Sequence, residues 1–196
     1  LEYFAFVLLF PFRIFRRSKK NAVRKILLIE PFQMGDALSL CPMLEPLKRQ
    51  YPEAKIFILT KHSSGAILQY DKRIEVLTTD FPWSDYGKKG FSIARFIKLF
   101  KYLWKIRREK FDIGVDTRGD IRSQIVLQMV QCSQIVGYRH YLGSNIRLKG
   151  LFLDKYLDAS PYLHRYDWNN YLLTSLGISQ ELLYPAQIPC FFPITE

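Results

Sequence analysis

The chain has 196 residues and a formal net charge of +11 at pH 7. This length can bury the core of one α/β domain, and a hydrophobic content of 48% excludes an intrinsically disordered protein. The three cysteines form no C-x-x-C pair and no metal-binding pattern with the three histidines, so Cys41 and Cys132 are expected as buried thiols in a reducing, cytosolic compartment. The basic charge favours an anionic partner: nucleic acid, a membrane surface or a phosphorylated substrate.

Residues 1–21 form a separate segment that is first apolar and then basic. Residues 1–14 are dominated by Phe, Leu, Val and Ile, which is too short a run to span a bilayer comfortably. The run also lacks the leading positive charges and the cleavage site of a signal peptide. Residues 1–20 fit an interfacial anchor on anionic head groups, and they fit equally a helix that packs against another domain.

The next stretch predicts a strand, a loop and a helix. Residues 26–29 are apolar and β-branched, as in a buried strand of a parallel sheet. After the loop at Gly35, apolar residues recur at helical spacing: Ala37, Leu40, Leu44 and Leu47. Asp36 therefore lies between a first strand and a first helix, at the edge where open α/β sheets bind ligands.

Two interpretations of Asp36 follow from this position. A carboxylate at the start of a helix can serve as its N-cap, accepting backbone N–H groups at the positive end of the helix dipole. The same carboxylate can serve as a general base at the mouth of a cleft. The two interpretations are geometrically compatible.

The alternation of strands and helices continues along the chain. Strands are predicted at residues 55–60, 75–79, 111–116, 134–138 and 153–157, and helices at residues 62–70, 91–110, 121–131 and 165–176. Residues 81–90 are predicted as an exposed loop, and Gly177 as the residue that ends the last helix. This order predicts an α/β fold with a Rossmann-like, doubly wound parallel sheet over residues 22–180.

The helix at residues 91–110 has the clearest pattern. Its apolar residues follow the i, i+3, i+4, i+7 rule: Ile93, Phe96, Ile97, Phe100, Leu103 and Trp104. Its basic residues occupy another face: Arg95, Lys98, Lys101, Lys105 and Arg108. Such a basic face is usually solvated, and it can also lie towards an anionic membrane.

Several stretches together resemble glycosyltransferase family 9, the lipopolysaccharide heptosyltransferases. Residues 26–38, ILLIEPFQMGDAL, and residues 41–52, CPMLEPLKRQYP, resemble the opening of that family. Four later stretches follow in the family's order: residues 54–60, residues 111–123 (FDIGVDTRGDIRS), residues 135–139 (IVGYR), and His164 with residues 171–178. The resemblance covers residues 24–178. Gln33 and Met34 depart from the small or hydroxyl residues of many members, so the sugar and the acceptor stay open.

The resemblance implies a fold and a chemistry. The fold would be the N-terminal half of a GT-B enzyme, with residues 22–180 as the acceptor-binding domain and residues 181–196 beginning a linker to an absent nucleotide-sugar domain. Asp36 would take the proton from an acceptor hydroxyl that attacks ADP-heptose or a similar donor with inversion. The fragment alone would be inactive. No cofactor is implied, and no metal, since the sequence contains no D-x-D cluster.

The resemblance also implies an acceptor site for phosphates and carboxylates. The acceptor-binding candidates are Gly35, Arg118, Arg122, Arg139 and Lys61, because arginine forks suit such groups and Gly35 leaves room beside Asp36. His164 matches a family position and is not predicted to be catalytic. The implied partners are an anionic glycolipid of the lipopolysaccharide-core type, a nucleotide-sugar donor and, through residues 1–20, the inner-membrane surface. The location would be cytoplasmic, with no nucleic acid bound.

Two other functions compete with this one. A Rossmann-type nucleotide-binding module shares the fold, although the first turn lacks both G-x-G-x-x-G and a Walker lysine. A non-catalytic basic protein that binds membrane or nucleic acid would account for the charge, although no helix-turn-helix, zinc-finger or RNP signature is present.

Overall fold

The computed structural model describes residues 22–84, 92–141, 147–158 and 164–179. The predicted segment at residues 1–21, the loop from residue 85 and the predicted linker at residues 181–196 lie outside this part. The described residues form one sheet of six parallel strands in the order β3-β2-β1-β4-β5-β6. The strands are β1 (Lys25–Glu30), β2 (Lys55–Thr60), β3 (Ile74–Thr78), β4 (Ile113–Asp116), β5 (Gln134–Tyr138) and β6 (Lys155–Leu157).

Helices cover both faces of this sheet. They are α1 (Met34–Leu38), α2 (Cys41–Gln50), α3 (His62–Leu68), α4 (Ile93–Ile106), α5 (Ile121–Val130) and α6 (Arg165–Thr174), and a 3-10 turn at Arg107–Glu109 follows α4. The predicted doubly wound α/β fold is therefore confirmed. Within the described residues, no helix is long and apolar enough to cross a membrane.

The central strands are buried on both sides, which explains why they are continuous apolar runs rather than alternating ones. In β1, Ile26 and Leu28 pack into the cluster that holds α2 and α6. Leu27 and Ile29 pack into the opposite cluster, with α4 and α5. The buried Cys41 and Cys132 belong to these two clusters, one to each, as expected for core thiols.

The single helix predicted after β1 is wrong, because the structure has two helices there, α1 and α2. Residue Ser39, between α1 and α2, donates its hydroxyl to the carbonyl oxygen of Asp36 at 2.5 Å. A new helix begins at Cys41, with Pro42 in its first turn, where the missing backbone N–H of proline costs no helical hydrogen bond, and Pro46 lies further inside it. The apolar spacing continues across the break, because Ala37, Leu40 and Leu44 remain in one buried cluster.

The predicted stripe of α4 is only partly a core face. Of its six apolar residues, Leu103 is buried, while Ile93, Phe96, Ile97, Phe100 and Trp104 are 39–66% exposed. The helix instead packs through Leu99, Leu103 and Ile106. The periodicity correctly predicted a helix, but its apolar arc is wider than the surface that the sheet covers.

The sheet order creates a crevice between β1 and β4. The chain proceeds from β1 to β2 and β3 on one side, then crosses back to β4, β5 and β6 on the other. The connections that leave β1 and β4 therefore diverge at their carboxyl ends, which is where doubly wound sheets bind ligands. Asp36 follows β1 and Arg118 follows β4, so both lie at this crevice.

Candidate active site

Asp36 lies in the first turn of α1, directly beyond β1. The N-cap of this helix is Gln33, whose extended backbone starts the helix and whose N–H donates to Oδ2 of Asp36 at 3.3 Å. Asp36 is therefore the third residue of a capping box, and the expectation that it is itself the N-cap is wrong. The helix begins one residue before the loop glycine rather than after it. The Asp36 side chain remains 27% exposed at the crevice.

Arg118 connects the two sides of the crevice. Its Nη1 lies 2.9 Å from Oδ2 of Asp36 and 3.6 Å from Oε1 of Glu30. Its guanidinium lies over the ring of Phe32 at 4.3 Å, and only 13% of the side chain is exposed. Burial lowers the pKa of Arg118, but Glu30 and Asp36 together shift it upward. Arg118 is thus a fixed cation that orients the Asp36 carboxylate.

The two oxygens of the Asp36 carboxylate have different surroundings. The contacts from Arg118 and from the Gln33 N–H both involve Oδ2. Within the described residues, Oδ1 accepts no hydrogen bond. A general base needs one carboxylate oxygen within hydrogen-bond reach of the hydroxyl that it deprotonates. The arrangement leaves Oδ1 available for that contact while Oδ2 is held.

Glu30 lies beneath Asp36 and is fully buried. It forms an ion pair with Arg165 from α6, and its Oε2 lies 3.2 Å from the hydroxyl of Thr117. Burial raises the pKa of Glu30, and the charges of Arg165 and Arg118 oppose that shift. Two acids and two arginines therefore form one charge network: Glu30, Asp36, Arg118 and Arg165.

Arg165 joins α6 to the crevice. Its Nη1 donates to the carbonyl of Thr117 at 2.9 Å, and its Nε donates to the hydroxyl of Ser39 at 3.2 Å. Asn169, one turn later on α6, donates to the carbonyl of Ser39 at 2.8 Å. Because Ser39 also bonds the carbonyl of Asp36, α6 helps to fix the helix that carries Asp36.

The position of α6 is itself determined by packing. Trp168 is fully buried and lies against Tyr138 of β5, with ring centroids 3.8 Å apart. The Tyr138 hydroxyl donates to the carbonyl of Trp168 at 2.5 Å. At the other end, Gly177 has a φ of +82°, and the N–H of Ile178 donates to the carbonyl of Leu173 at 3.4 Å. This is a Schellman motif, so Gly177 ends the helix as predicted.

Asp116, the last residue of β4, is buried beside the same crevice. Its Oδ2 accepts from Nε2 of Gln124 at 2.9 Å, and its Oδ1 accepts from the N–H of Arg118 at 3.1 Å. Burial raises the pKa of Asp116 to about 7, although these hydrogen bonds oppose the shift. Asp116 thus shapes the turn that presents Arg118.

Two glycines at this edge have opposite surroundings. A Cβ on Gly35 would meet no atom within 4 Å, so the fold itself does not require glycine there. Gly119 has a φ of +69°, and a Cβ on it would collide with the carbonyl oxygen of His140. The glycine beside Asp36 therefore leaves an open space, whereas Gly119 is required by the backbone.

Two of the other predicted acceptor-binding residues, Arg122 and Lys61, lie around the crevice. Arg122 forms a bidentate ion pair with Asp120, the N-cap of α5, and is 38% exposed. Its guanidinium also lies 5.6 Å from the ring of Phe32, on which Arg118 stacks. Lys61 begins α3 at the end of β2 and donates to the carbonyl of Ser84 at 3.3 Å.

Arg139 belongs to a separate cluster at the end of β5. It forms an ion pair with Asp158 and stacks on Tyr156 at 4.0 Å. Arg147 and His140 also approach Asp158, at 3.4 and 3.8 Å. No contact among the described residues joins Arg139 to Asp36. His164 is exposed at the start of α6, where its carbonyl accepts the N–H of Trp168.

Glu30, Thr117 and Arg165 are not among the site residues that the sequence predicts. Glu30 carried a signal, because a charged residue at the end of a buried apolar strand must find a partner. Arg165 carried none, since it is 135 residues away from Glu30 and only the fold brings them together.

The fold recurs in several solved glycosyltransferases. The E. coli heptosyltransferase WaaC with ADP-2-deoxy-2-fluoro heptose matches at a TM-score of 0.63 and 17% identity, over 80% of this chain and 49% of that chain. A WaaC structure with ADP matches at a TM-score of 0.60 and 18% identity, over 80% and 48% of the two chains.

Two further structures agree with these matches. The glycosyl transferase family 9 protein from Veillonella parvula DSM 2008 matches at a TM-score of 0.63 and 19% identity, over 84% of this chain and 44% of that chain. The E. coli ADP-heptose lps heptosyltransferase II matches at 0.60 and 14%, over 84% and 45%. The sequence matches no family profile and no curated protein.

The class that these observations define is a Rossmann-like α/β domain with the fold found in GT-B glycosyltransferases. The predicted resemblance to the heptosyltransferases is confirmed at the level of the fold. The chain spans about half the length of the matched structures.

Proposed function

We propose that this chain is the acceptor-binding domain of a glycosyltransferase in which Asp36 is the general base. The observation that carries the proposal is the asymmetry of the Asp36 carboxylate. Oδ2 is held by Arg118 at 2.9 Å and by the N–H of Gln33, while Oδ1 accepts no hydrogen bond within the described residues. This carboxylate lies at the switch point of the sheet, where a ligand is expected.

In the proposed reaction, a hydroxyl oxygen of the acceptor attacks the anomeric carbon of a nucleotide-sugar. The bond between that carbon and the nucleoside diphosphate breaks, and the diphosphate leaves with the bonding electron pair. The hydroxyl proton passes to Oδ1 of Asp36. A single displacement inverts the anomeric configuration. Gly35 supports this geometry because the space beside its Cα is open to an approaching sugar.

The proposed donor is ADP-heptose or a similar nucleotide-sugar. Support comes from the matched WaaC structures, which hold ADP or ADP-2-deoxy-2-fluoro heptose. We assign donor binding mainly to a second domain, since this chain covers about half of those structures. The proposed domain therefore does not transfer sugar alone. We also propose that the reaction takes place on the cytoplasmic side of the inner membrane.

The proposed acceptor is an anionic glycolipid of the lipopolysaccharide-core type. Arg122 is the best-placed cation for it, because its guanidinium is 38% exposed and lies beside Phe32 at the crevice. Arg118 orients the base, and Lys61 and Arg139 are outer contacts on either side. An Arg122→Met variant should raise the KM for a phosphorylated acceptor about tenfold and change the KM for a dephosphorylated acceptor little.

The test is sugar transfer by the full-length gene product, offered ADP-heptose and other nucleotide-sugars with a lipid A–core acceptor. Asp36→Asn should lower kcat by about 10²- to 10⁴-fold, because the amide cannot accept the proton. Glu45→Gln is the matched control, since Glu45 is an exposed carboxylate on α2 that pairs with Arg49.

Each outcome bears on a separate part of the proposal. Undiminished transfer by Asp36→Asn would refute the base. Transfer from a different donor would keep the base and discard heptose. Absence of transfer from every donor would refute the glycosyltransferase assignment and favour a nucleotide-binding module, which a titration with NAD and ATP then tests.

A further inference from the structure

The exposed apolar surface of α4 is a feature that the proposed function does not use. Ile93, Phe96, Ile97, Phe100 and Trp104 are all 39–66% exposed and lie on one arc of the helix. Together with Ile125 and Met129 of α5 and with Trp83, four of them line an open apolar groove of about 740 Å³. Monomeric soluble proteins rarely expose apolar surface that is this continuous.

Basic residues border this apolar arc. Lys98, Lys101, Lys105 and Arg108 are exposed on the adjoining face of α4 and its 3-10 turn, and α4 itself contains no acidic residue. Arg107 lies over the ring of Trp104 at 4.7 Å. An apolar aromatic arc beside lysines and arginines is the composition of a helix that lies in a membrane interface.

We propose that α4 docks this domain onto an anionic membrane surface, with the apolar arc in the acyl boundary and the basic face on lipid phosphates. The positive charge beside the apolar arc distinguishes among the partners that could cover it. A second copy of the chain would bring the basic face of one α4 against that of the other, and like charges oppose such a contact. The basic part of residues 1–21 would meet the same repulsion.

The composition of the arc also argues against nucleic acid. Phosphates would be met by the lysines, but Ile93 and Ile97 give aliphatic surface on which bases do not stack as they do on aromatic rings. Acyl chains match both the aliphatic and the aromatic members. Arg122 lines the groove and also lies beside Phe32, so the docked surface adjoins the candidate active site.

The test is co-sedimentation of the full chain with vesicles of phosphatidylcholine alone or with one quarter phosphatidylglycerol. We expect binding to the anionic vesicles, weakened at least about tenfold in Phe100→Ser/Trp104→Ser and in Lys101→Glu/Lys105→Glu. The matched controls are Tyr70→Ser, at a 62% exposed aromatic residue, and Arg49→Glu/Lys72→Glu, at exposed cations away from α4. Circular dichroism confirms that each variant is folded.

A spectroscopic measurement tests the depth of insertion. Brominated acyl chains should quench the fluorescence of the wild type more strongly than that of Trp104→Phe, in which Trp83 still lines the groove and Trp168 is fully buried. Equal binding of the α4 variants and their controls would overturn the proposal. So would binding that is lost in Arg16→Glu/Arg17→Glu and kept in the α4 variants, which would assign the membrane contact to residues 1–21.

Two other results would also overturn it. A dimer in sedimentation velocity that Phe100→Ser/Trp104→Ser abolishes, found without vesicle binding, would assign the arc to a second copy of the chain. Salt-sensitive binding to DNA in place of vesicles would assign it to nucleic acid. None of these measurements depends on sugar transfer, so the proposal stands or falls separately from the proposed function.

Discussion

Replacement of Arg165 tests whether the buried charge network holds the candidate site together. Arg165 forms an ion pair with Glu30, which is 0% exposed, and donates to Thr117 at 2.9 Å and to Ser39 at 3.2 Å. Removing one partner of a buried ion pair costs about 3–5 kcal/mol, because the other charge is left without compensation. We expect Arg165→Met to lower the free energy of unfolding by about this amount at pH 8.

The cost should depend on pH, and the sign follows from Glu30. Burial already raises the pKa of Glu30, and Arg165 is the largest influence that opposes this. In Arg165→Met the folded-state pKa of Glu30 rises further above its unfolded value, so the carboxyl group takes up a proton in the folded protein. A pKa that is higher in the folded than in the unfolded state stabilises the folded protein at low pH, and this stabilisation is lost as the pH rises. The difference between wild type and variant should therefore be smaller at pH 5.5 than at pH 8.

The assay is urea unfolding of the full chain at both pH values, with Glu30→Gln and the double variant completing a mutant cycle. Groups in direct contact typically show coupling energies of about 0.5–3 kcal/mol, and we expect about 2 kcal/mol for this pair. A cost below about 1 kcal/mol at pH 8, or a coupling energy within the additivity error of about 0.5 kcal/mol, would refute the reasoning.

Three further predictions concern the same sheet edge. Gly35→Ala should leave the free energy of unfolding unchanged or raise it by up to about 1 kcal/mol, while it raises the acceptor KM. Gly119→Ala should instead lower the free energy of unfolding by about 1–3 kcal/mol, because its Cβ would meet the His140 carbonyl. Burial raises the pKa of Asp116 to about 7. The stability that this raised pKa contributes is therefore fully present below about pH 4 and falls as the pH rises towards 7. The Asp116→Asn variant lacks this contribution at every pH. Arg118→Lys keeps the positive charge but loses the fork, and under the proposed function it should lower kcat for sugar transfer about tenfold while the chain stays folded.

Urea unfolding, circular dichroism and steady-state kinetics check these three. Gly35→Ala with an unchanged acceptor KM would show that no sugar approaches Gly35. A difference between wild type and Asp116→Asn that is constant from pH 4 to pH 8 would contradict the Asp116 prediction. Full kcat in Arg118→Lys would show that the orientation of Asp36 does not depend on the guanidinium.

Much of the sheet was predictable because its strands are short apolar runs between polar residues. The bounds of β2 and β5 were predicted to the residue, because a polar residue, Lys55 or Gln134, comes directly before the apolar run of each strand. The crevice was predictable too, because the carboxyl ends of parallel strands share one edge and Asp36 and Arg118 both follow such ends.

The rest could not be predicted, since it depends on which surfaces meet. The 3.6-residue spacing of apolar residues predicted the helix α4 but could not predict that Leu99 faces the core while Phe100 faces outward. The pairing of Glu30 with Arg165, and of Arg139 with Asp158, is set by how α6 and β6 dock rather than by any local pattern.

The separation of Glu30 and Arg165 along the chain, 135 residues, has a consequence for refolding kinetics. Closing a loop of that length costs chain entropy before the contact returns any free energy. The charge network should therefore form after the central strands have paired and α6 has docked on Tyr138. Changes to Arg165 should accelerate unfolding and leave the folding rate nearly unchanged. The α6 contacts that help to fix the helix carrying Asp36 would then be the last to assemble and the first to separate.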